Sequence, residues 1–153
     1  GCDEPWRMPA SCRENGLAKI AVLLLVLILI EGVLGSQVRE KTDALKDTHE
    51  YAPRSEWVGE LEQSVTYLVH RSGSWAILWA STLFFIRAKK NRTGAKVLES
   101  LVFGIVISQM CLGLILSQVG ILPIAQVLHI GLSSILVSAL LLWLLGSSRG
   151  AQA

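Results

Sequence analysis

Four long apolar runs, separated by polar segments, dominate the pattern along this chain of 153 residues. They lie at about residues 17–36, 64–87, 97–119 and 123–146. A helix needs about 20 apolar residues to cross ~30 Å of hydrocarbon, and each run is close to that length or longer. The pattern predicts an all-α polytopic membrane protein, in which residues 17–146 form a transmembrane four-helix bundle.

Composition agrees with a membrane location and argues against one class of partner. Hydrophobic residues make up 52% of the chain, and the mean hydropathy is +0.51, well outside the usual range of soluble domains. The formal net charge of +2 is too small to indicate nucleic-acid binding. We therefore expect membrane lipid as a partner and no nucleic acid.

Basic residues concentrate in the short loop RAKKNRTGAK, between the second and third apolar runs. Positive charge in short loops marks the cytoplasmic side of a membrane protein. Residues 1–16 and the tail 147–153 are then cytoplasmic, and the acidic segment that begins at Gln37 lies on the opposite side. Cys2 and Cys12 face the reducing side, where neither a disulfide nor a metal site is expected from two cysteines at this spacing.

An amphipathic helix is predicted on the extracytoplasmic side, just before the second membrane helix. Its apolar stripe consists of Trp57, Leu61, Val65 and Leu68, with Ser55 as a candidate N-cap. The segment from Gln37 to Pro53 is polar, and we expect it to be irregular.

Short patterns recur between the helices. The first and third runs contain EGVLG from Glu31 and QMCLG from Gln109, while the second and fourth contain an apolar residue followed by His70 and His129. The chain therefore reads as two helical hairpin repeats, an organisation that in many membrane bundles places a site at the repeat interface.

The two histidines are the main candidates for chemistry. His70 precedes Arg87 by 17 positions and His129 precedes Gly146 by the same number, so each lies ~26 Å from the inner end of its helix. Either histidine alone is readily explained as an interfacial polar residue with a hydrogen bond. Two at equal depth on parallel helices, each followed by small residues, favour axial ligation of one heme iron.

Other polar residues have two interpretations each. Arg71 and Arg39 would pair with heme propionates, or would extend to the lipid headgroups. Glu31 and Gln109 would orient a ligand histidine by accepting its Nδ1 proton, although Gln109 is equally suited to an interhelical hydrogen bond. Gln126, three residues before His129, would reach the heme edge.

The segments EGVLGSQVREKTD and YLVHR, followed by LG in the third run and LPIAQVLH in the fourth, resemble heme A synthase. The resemblance covers about residues 17–146 and the C-terminal half of that eight-helix, two-bundle family. It implies that His70 and His129 hold a b-type heme as axial iron ligands. It also implies oxidation of the methyl group of heme O to the formyl group of heme A, for terminal oxidase biogenesis.

One departure from the family pattern concerns catalysis. The substrate half of the family carries a glutamate one turn before its first histidine, whereas this chain has Tyr67 there. The catalytic residue is therefore unknown, with Glu31 a weak candidate. Heme O would bind to an N-terminal bundle or to a second copy, heme O synthase is a candidate partner, and the expected membrane is the bacterial plasma membrane.

Two other functions stay open on this sequence. One is a four-helix b-type cytochrome that only transfers electrons. The other is an assembly protein without a cofactor, in which the histidines bond neighbouring helices.

Overall fold

The chain is all-helical in the computed structural model, which describes residues 16–91, 93, 95–119 and 122–149. Cys2, Cys12 and the predicted cytoplasmic segment up to residue 15 lie outside these residues. The described parts form five helices and no strand, which confirms the all-α class. The helices are α1 (Leu17–Thr48), α2 (Arg54–Glu62), α3 (Val65–Asn91), α4 (Lys96–Gln118) and α5 (Pro123–Arg149).

Three helices of the described chain are long and apolar enough to cross a membrane: α1, α4 and the part of α5 up to Ser147. Their presence supports a membrane protein. Helix α3 also has 27 residues, but it falls short of the same hydropathy, and His70 and Arg71 are among the polar residues in it. That α3 is a fourth span stays a prediction.

Helix α1 extends well beyond the first apolar run and ends at Thr48. The prediction that the segment from Gln37 to Pro53 is irregular is therefore wrong over most of its length. The sequence VREKTDALKDT contains neither glycine nor proline and is rich in helix-forming residues. An ion pair between Arg39 and Asp43, spaced i,i+4 and 3.6 Å apart, adds a small stabilisation on the exposed face.

The four long helices close a ring in which α1 packs on α3, α3 on α4, α4 on α5 and α5 on α1. As a result α3 and α5 lie diagonally across the bundle. The apolar core includes Leu24, Phe84, Val102 and Trp143, all fully buried. Phe84 and Trp143 meet edge to face, with ring centroids 4.9 Å apart.

A buried carboxylate forms hydrogen bonds between helices at the end of the bundle that includes the α3–α4 loop. Glu99 is only 3% exposed, and its Oε1 accepts hydrogen bonds from the Thr93 hydroxyl and, at 3.1 Å, from Trp143 Nε1. These bonds join the loop, α4 and α5, so this end is held together by polar contacts that the sequence analysis did not anticipate.

The opposite end, called here the α2 end, is covered by the short helix α2. Its own residues Trp57 and Leu61 are buried, and α2 packs on α1 and α3. A short helix is thus present at the predicted place, although it begins at Arg54 after Pro53 rather than with Ser55 as its N-cap. The predicted apolar stripe does not continue into α3, because Val65 and Leu68 are exposed there. Helix α2 is also separate from α3, because Ser64 starts the new helix by accepting the Tyr67 N–H at 3.3 Å. Its position outside the membrane stays a prediction.

Candidate functional site

His70 on α3 faces a carboxylate on α1. Its Nδ1 lies 2.9 Å from Glu31 Oε1, and the two side chains are only 23% and 13% exposed. The hydroxyl of Ser74, one turn after His70, lies 2.7 Å from the same oxygen and 3.0 Å from the His70 carbonyl. We call Glu31, His70 and Ser74 the carboxylate cluster.

The alignment between Glu31 and His70 is imperfect. His70 Nδ1 makes no well-aligned hydrogen bond to the described residues, in spite of the 2.9 Å separation. The distance is the more informative of the two observations, because χ2 of a histidine is a soft torsion and a small ring rotation aligns the N–H with the carboxylate. Glu31 is therefore placed to accept a hydrogen bond from Nδ1 of His70.

Two glycines make this close approach sterically feasible. A Cβ at Gly73 would collide with Glu31 Oε2, and a Cβ at Gly35 would lie 3.3 Å from His70 Cε1. Gly73 lets the carboxylate lie against α3, and Gly35 lets the imidazole lie against α1. Small residues at a helix interface generally allow such a close approach of two helices.

The α4/α5 pair holds a second cluster built from matching positions. Gln109 Nε2 donates to the His129 carbonyl at 2.7 Å and to Ser133 Oγ at 2.8 Å. Gly113 lies beside the imidazole, since a Cβ there would be 4.0 Å from His129 Cε1. We call Gln109, His129 and Ser133 the amide cluster. The interhelical hydrogen bond foreseen for Gln109 is present.

Two atoms of the amide cluster are buried and have no hydrogen-bond partner among the described residues. They are Gln109 Oε1 and His129 Nδ1. The Gln109 oxygen is an acceptor, and His129 Nδ1 is a donor in one imidazole tautomer, so the two atoms are of types that could form a hydrogen bond with each other. In this cluster the glutamine holds the backbone of the histidine rather than its ring.

The two clusters are close enough to influence each other. His129 lies within electrostatic range of both His70 and Glu31, although α3 and α5 are diagonal neighbours. No described residue forms a hydrogen bond to the Nε2 atom of either imidazole. The described residues contain no group of three or more His, Cys, Asp and Glu side chains that could hold a metal ion. A heme iron needs only two axial imidazoles from the protein.

The remaining predicted residues lie outside the two clusters. Arg71 is exposed on α3, and Arg39 is exposed and paired with Asp43. Gln126 is partly buried on α5, one turn before His129. Cys111 on α4 is an exposed free thiol.

Sequence reasoning missed the hydrogen-bonding role of two serines and the position of one arginine. Ser74 and Ser133 each follow a histidine by four residues, a helical spacing that could have revealed their role. Arg54 Nη2 donates to the carbonyls of Leu116 and Ser117 at 3.3 and 3.1 Å. No local pattern signals a contact between residues so distant in sequence.

The comparisons with known proteins assign the chain to a family. Residues 2–141 match the family model COX15-CtaA, described as cytochrome oxidase assembly protein. The chain belongs to the COX15-CtaA family. This confirms the heme A synthase family inferred from the sequence segments, and it implies a role in cytochrome oxidase assembly and heme A biosynthesis. The searches of curated proteins and of solved structures gave no match.

Proposed function

We propose that this COX15-CtaA protein binds a b-type heme between His70 and His129 and acts as the cofactor half of a heme A synthase. The observation that carries the proposal is the pair of half-buried imidazoles on diagonal helices. Each has a glycine beside its ring and an Nε2 atom to which no described residue forms a hydrogen bond. Both features suit axial ligation of a flat macrocycle inside the bundle.

A heme bound there supplies one-electron transfer. The residues of this chain would hold and orient the histidine ligands. Glu31 would accept a hydrogen bond from Nδ1 of His70 and so orient the ring, and the Ser74 hydroxyl donates a hydrogen bond to the same carboxylate. Gln109 anchors the His129 segment of α5 through its carbonyl and Ser133.

Oxidation of the heme O methyl group is assigned to a second bundle, either an N-terminal half or another copy of this chain. Tyr67 stands where the family resemblance leads us to expect a catalytic glutamate. Glu31 is a poor substitute, because its carboxylate lies at Nδ1 of His70, on the far side of the ring from Nε2. We therefore assign Glu31 a positioning role.

Some further assignments belong to the same proposal. Arg71 and Arg39 remain candidates for the heme carboxylates, and Gln126 for the heme edge. We place α3 across the membrane with the other three long helices, with α2 outside and both termini in the cytoplasm. Bacterial plasma membrane is the proposed location, and heme O synthase a candidate partner.

The direct test uses the three histidines of the chain. We expect His70→Ala and His129→Ala each to abolish the low-spin bis-histidine spectrum of the purified protein, measured by absorption and electron paramagnetic resonance. His49→Ala is the matched control, because that ring bonds the Leu45 carbonyl near the end of α1. Unchanged heme content and spin state in both site variants would exclude the proposed ligands.

A b-type cytochrome without heme O turnover is the second candidate, and Tyr67 is the observation that favours it. Pyridine hemochrome analysis of cells that make heme O distinguishes the two. Formation of heme A that depends on this chain supports the synthase, whereas bound heme b with no heme A supports the cytochrome.

A further inference from the structure

Arg54 has no role in the heme site described above. It is held at the α2 end, where the start of α2 meets the end of α4. It is the first residue of α2, and its Nη2 is bonded to carbonyls in the last turn of α4. The last carbonyls of a helix lack intrahelical partners and carry partial negative charge, so this half of the guanidinium is satisfied.

The other half of the guanidinium is not satisfied. Arg54 Nη1 is buried and has no hydrogen-bond partner among the described residues. Nor does any described carboxylate form an ion pair with it. Arginine stays protonated in proteins, and a buried donor without an acceptor is costly. An anion bound at Nη1 would remove that cost.

The position of Arg54 relates it to the heme site. Ser117, whose carbonyl it holds, follows Gly113 by four residues, so it lies ~6 Å farther toward the α2 end than the glycine beside His129. Helix α2 then ends at Glu62, just before α3, where His70 lies ~8 Å from the first residue. Arg54 and α2 therefore cover the end of the bundle nearest to both imidazoles.

We propose that Arg54 binds a carboxylate of the porphyrin held between His70 and His129. This inference rests on the proposed heme site. Nη2 remains on the α4 carbonyls, and Nη1 donates to the carboxylate as a charge-assisted hydrogen bond. Of the arginines at this end, Arg54 is the one whose guanidinium is already oriented by the protein, whereas Arg39 has its own carboxylate and Arg71 is exposed.

The experiment compares heme b with its dimethyl ester, in which both carboxylates are neutral. The purified full chain and Arg54→Met are titrated with each compound in phosphate-free detergent, with Arg87→Met as a control that removes an exposed arginine far from the α2 end. For the unaltered protein, we expect heme b to bind about ten- to hundredfold more tightly than the ester, the range for one charge-assisted hydrogen bond. Arg54→Met should lose that preference, and Arg87→Met should keep it.

Each outcome has a defined meaning. Equal affinity of the unaltered protein for heme b and the ester overturns the inference without any variant. If Arg54→Met still binds heme b more tightly than the ester, the inference is also overturned, but the proposed heme site is unaffected. If heme binds with no low-spin bis-histidine spectrum, the proposed function itself fails.

Two additional arms exclude other roles of Arg54. If the residue serves a lipid phosphate, added phospholipid stabilises the protein only when Arg54 is present, with no difference between heme b and the ester, which overturns the inference. If Arg54 only caps α4, Arg54→Met destabilises the heme-free protein but still binds heme b more tightly than the ester. That result also overturns the inference. Arg54→Lys should restore part of the preference, and it replaces Arg54→Met if that variant does not fold.

Discussion

The carboxylate cluster and the amide cluster have the same parts and different chemistry. Each has a histidine, a serine four residues later, and a polar residue on the adjacent helix that precedes a glycine by four. In one cluster that polar residue is Glu31, placed at the imidazole ring of His70. In the other it is Gln109, bonded to the backbone of His129.

The difference shows how one change of side chain makes two similar histidines inequivalent. A carboxylate only accepts hydrogen bonds, so it favours a proton on Nδ1 of the facing imidazole and strengthens the electron donation of Nε2. An amide can donate, and Gln109 donates to a carbonyl and a hydroxyl while His129 Nδ1 stays unpartnered among the described residues. If heme binds as proposed, His70 should therefore be the more strongly donating ligand.

The largest expected difference between the clusters is in stability. Glu31→Leu should lower the free energy of unfolding by about 2 kcal/mol, because it removes a charged acceptor from His70 and Ser74. Gln109→Leu should cost only about 0.6 kcal/mol, a typical value for an interhelical hydrogen bond in a membrane protein. Denaturation in mild detergent, followed by circular dichroism, measures both. Equal losses would mean that the carboxylate has no special role.

Gly73 tests the packing on which the carboxylate cluster depends. Gly73→Ala should destabilise the protein by about 1–2 kcal/mol, since the new methyl group displaces Glu31 from α3. The corresponding position after His129 is Leu132, so the amide cluster has no such requirement. Gly32→Ala is the control, because a Cβ there meets no atom, and we expect a gain of about 0.5–1 kcal/mol from helix propensity. A Gly73→Ala protein as stable as Gly32→Ala would disprove the close contact.

If heme binds as proposed, exchange of the two polar residues should move its reduction potential in opposite directions. Glu31→Gln should raise it and Gln109→Glu should lower it, each by on the order of 40 mV, which corresponds to about 1 kcal/mol for one electron. The reason is that a carboxylate near a ligand imidazole stabilises the more positive ferric state. Potentiometric titration of the Soret band measures the shifts, and shifts of the same sign would contradict the distinction between the clusters.

The serines should give the smallest difference. Double-mutant cycles that combine Ser74→Ala with Glu31→Gln, and Ser133→Ala with Gln109→Ala, isolate the coupling within each cluster. We expect about 1 kcal/mol for the pair with a carboxylate acceptor and about 0.5 kcal/mol for the neutral pair. Thermal unfolding of the four single and two double variants provides the values, and a larger coupling in the amide cluster would reverse the interpretation.

Much of the candidate site was predictable from local pattern. His70, His129, Glu31 and Gln109 stand out because polar residues within apolar runs are costly and have few explanations. The extent of α1 was not predicted, since a polar helix beyond an apolar run lacks the apolar periodicity from which helices are recognised. Nor was the position of Arg54 predictable, because its hydrogen-bond partners lie 62 and 63 residues away and are backbone carbonyls, which every residue has.

The sequence by itself determined that the apolar runs are helices and which polar groups they carry. Apolar runs of this length form helices in a membrane because each backbone N–H and C=O must find its partner within the segment. Only the tertiary structure decided that Glu31 meets the ring of His70 while Gln109 meets the backbone of His129. That choice depends on the rotation and spacing of neighbouring helices, which side-chain packing across the whole bundle determines.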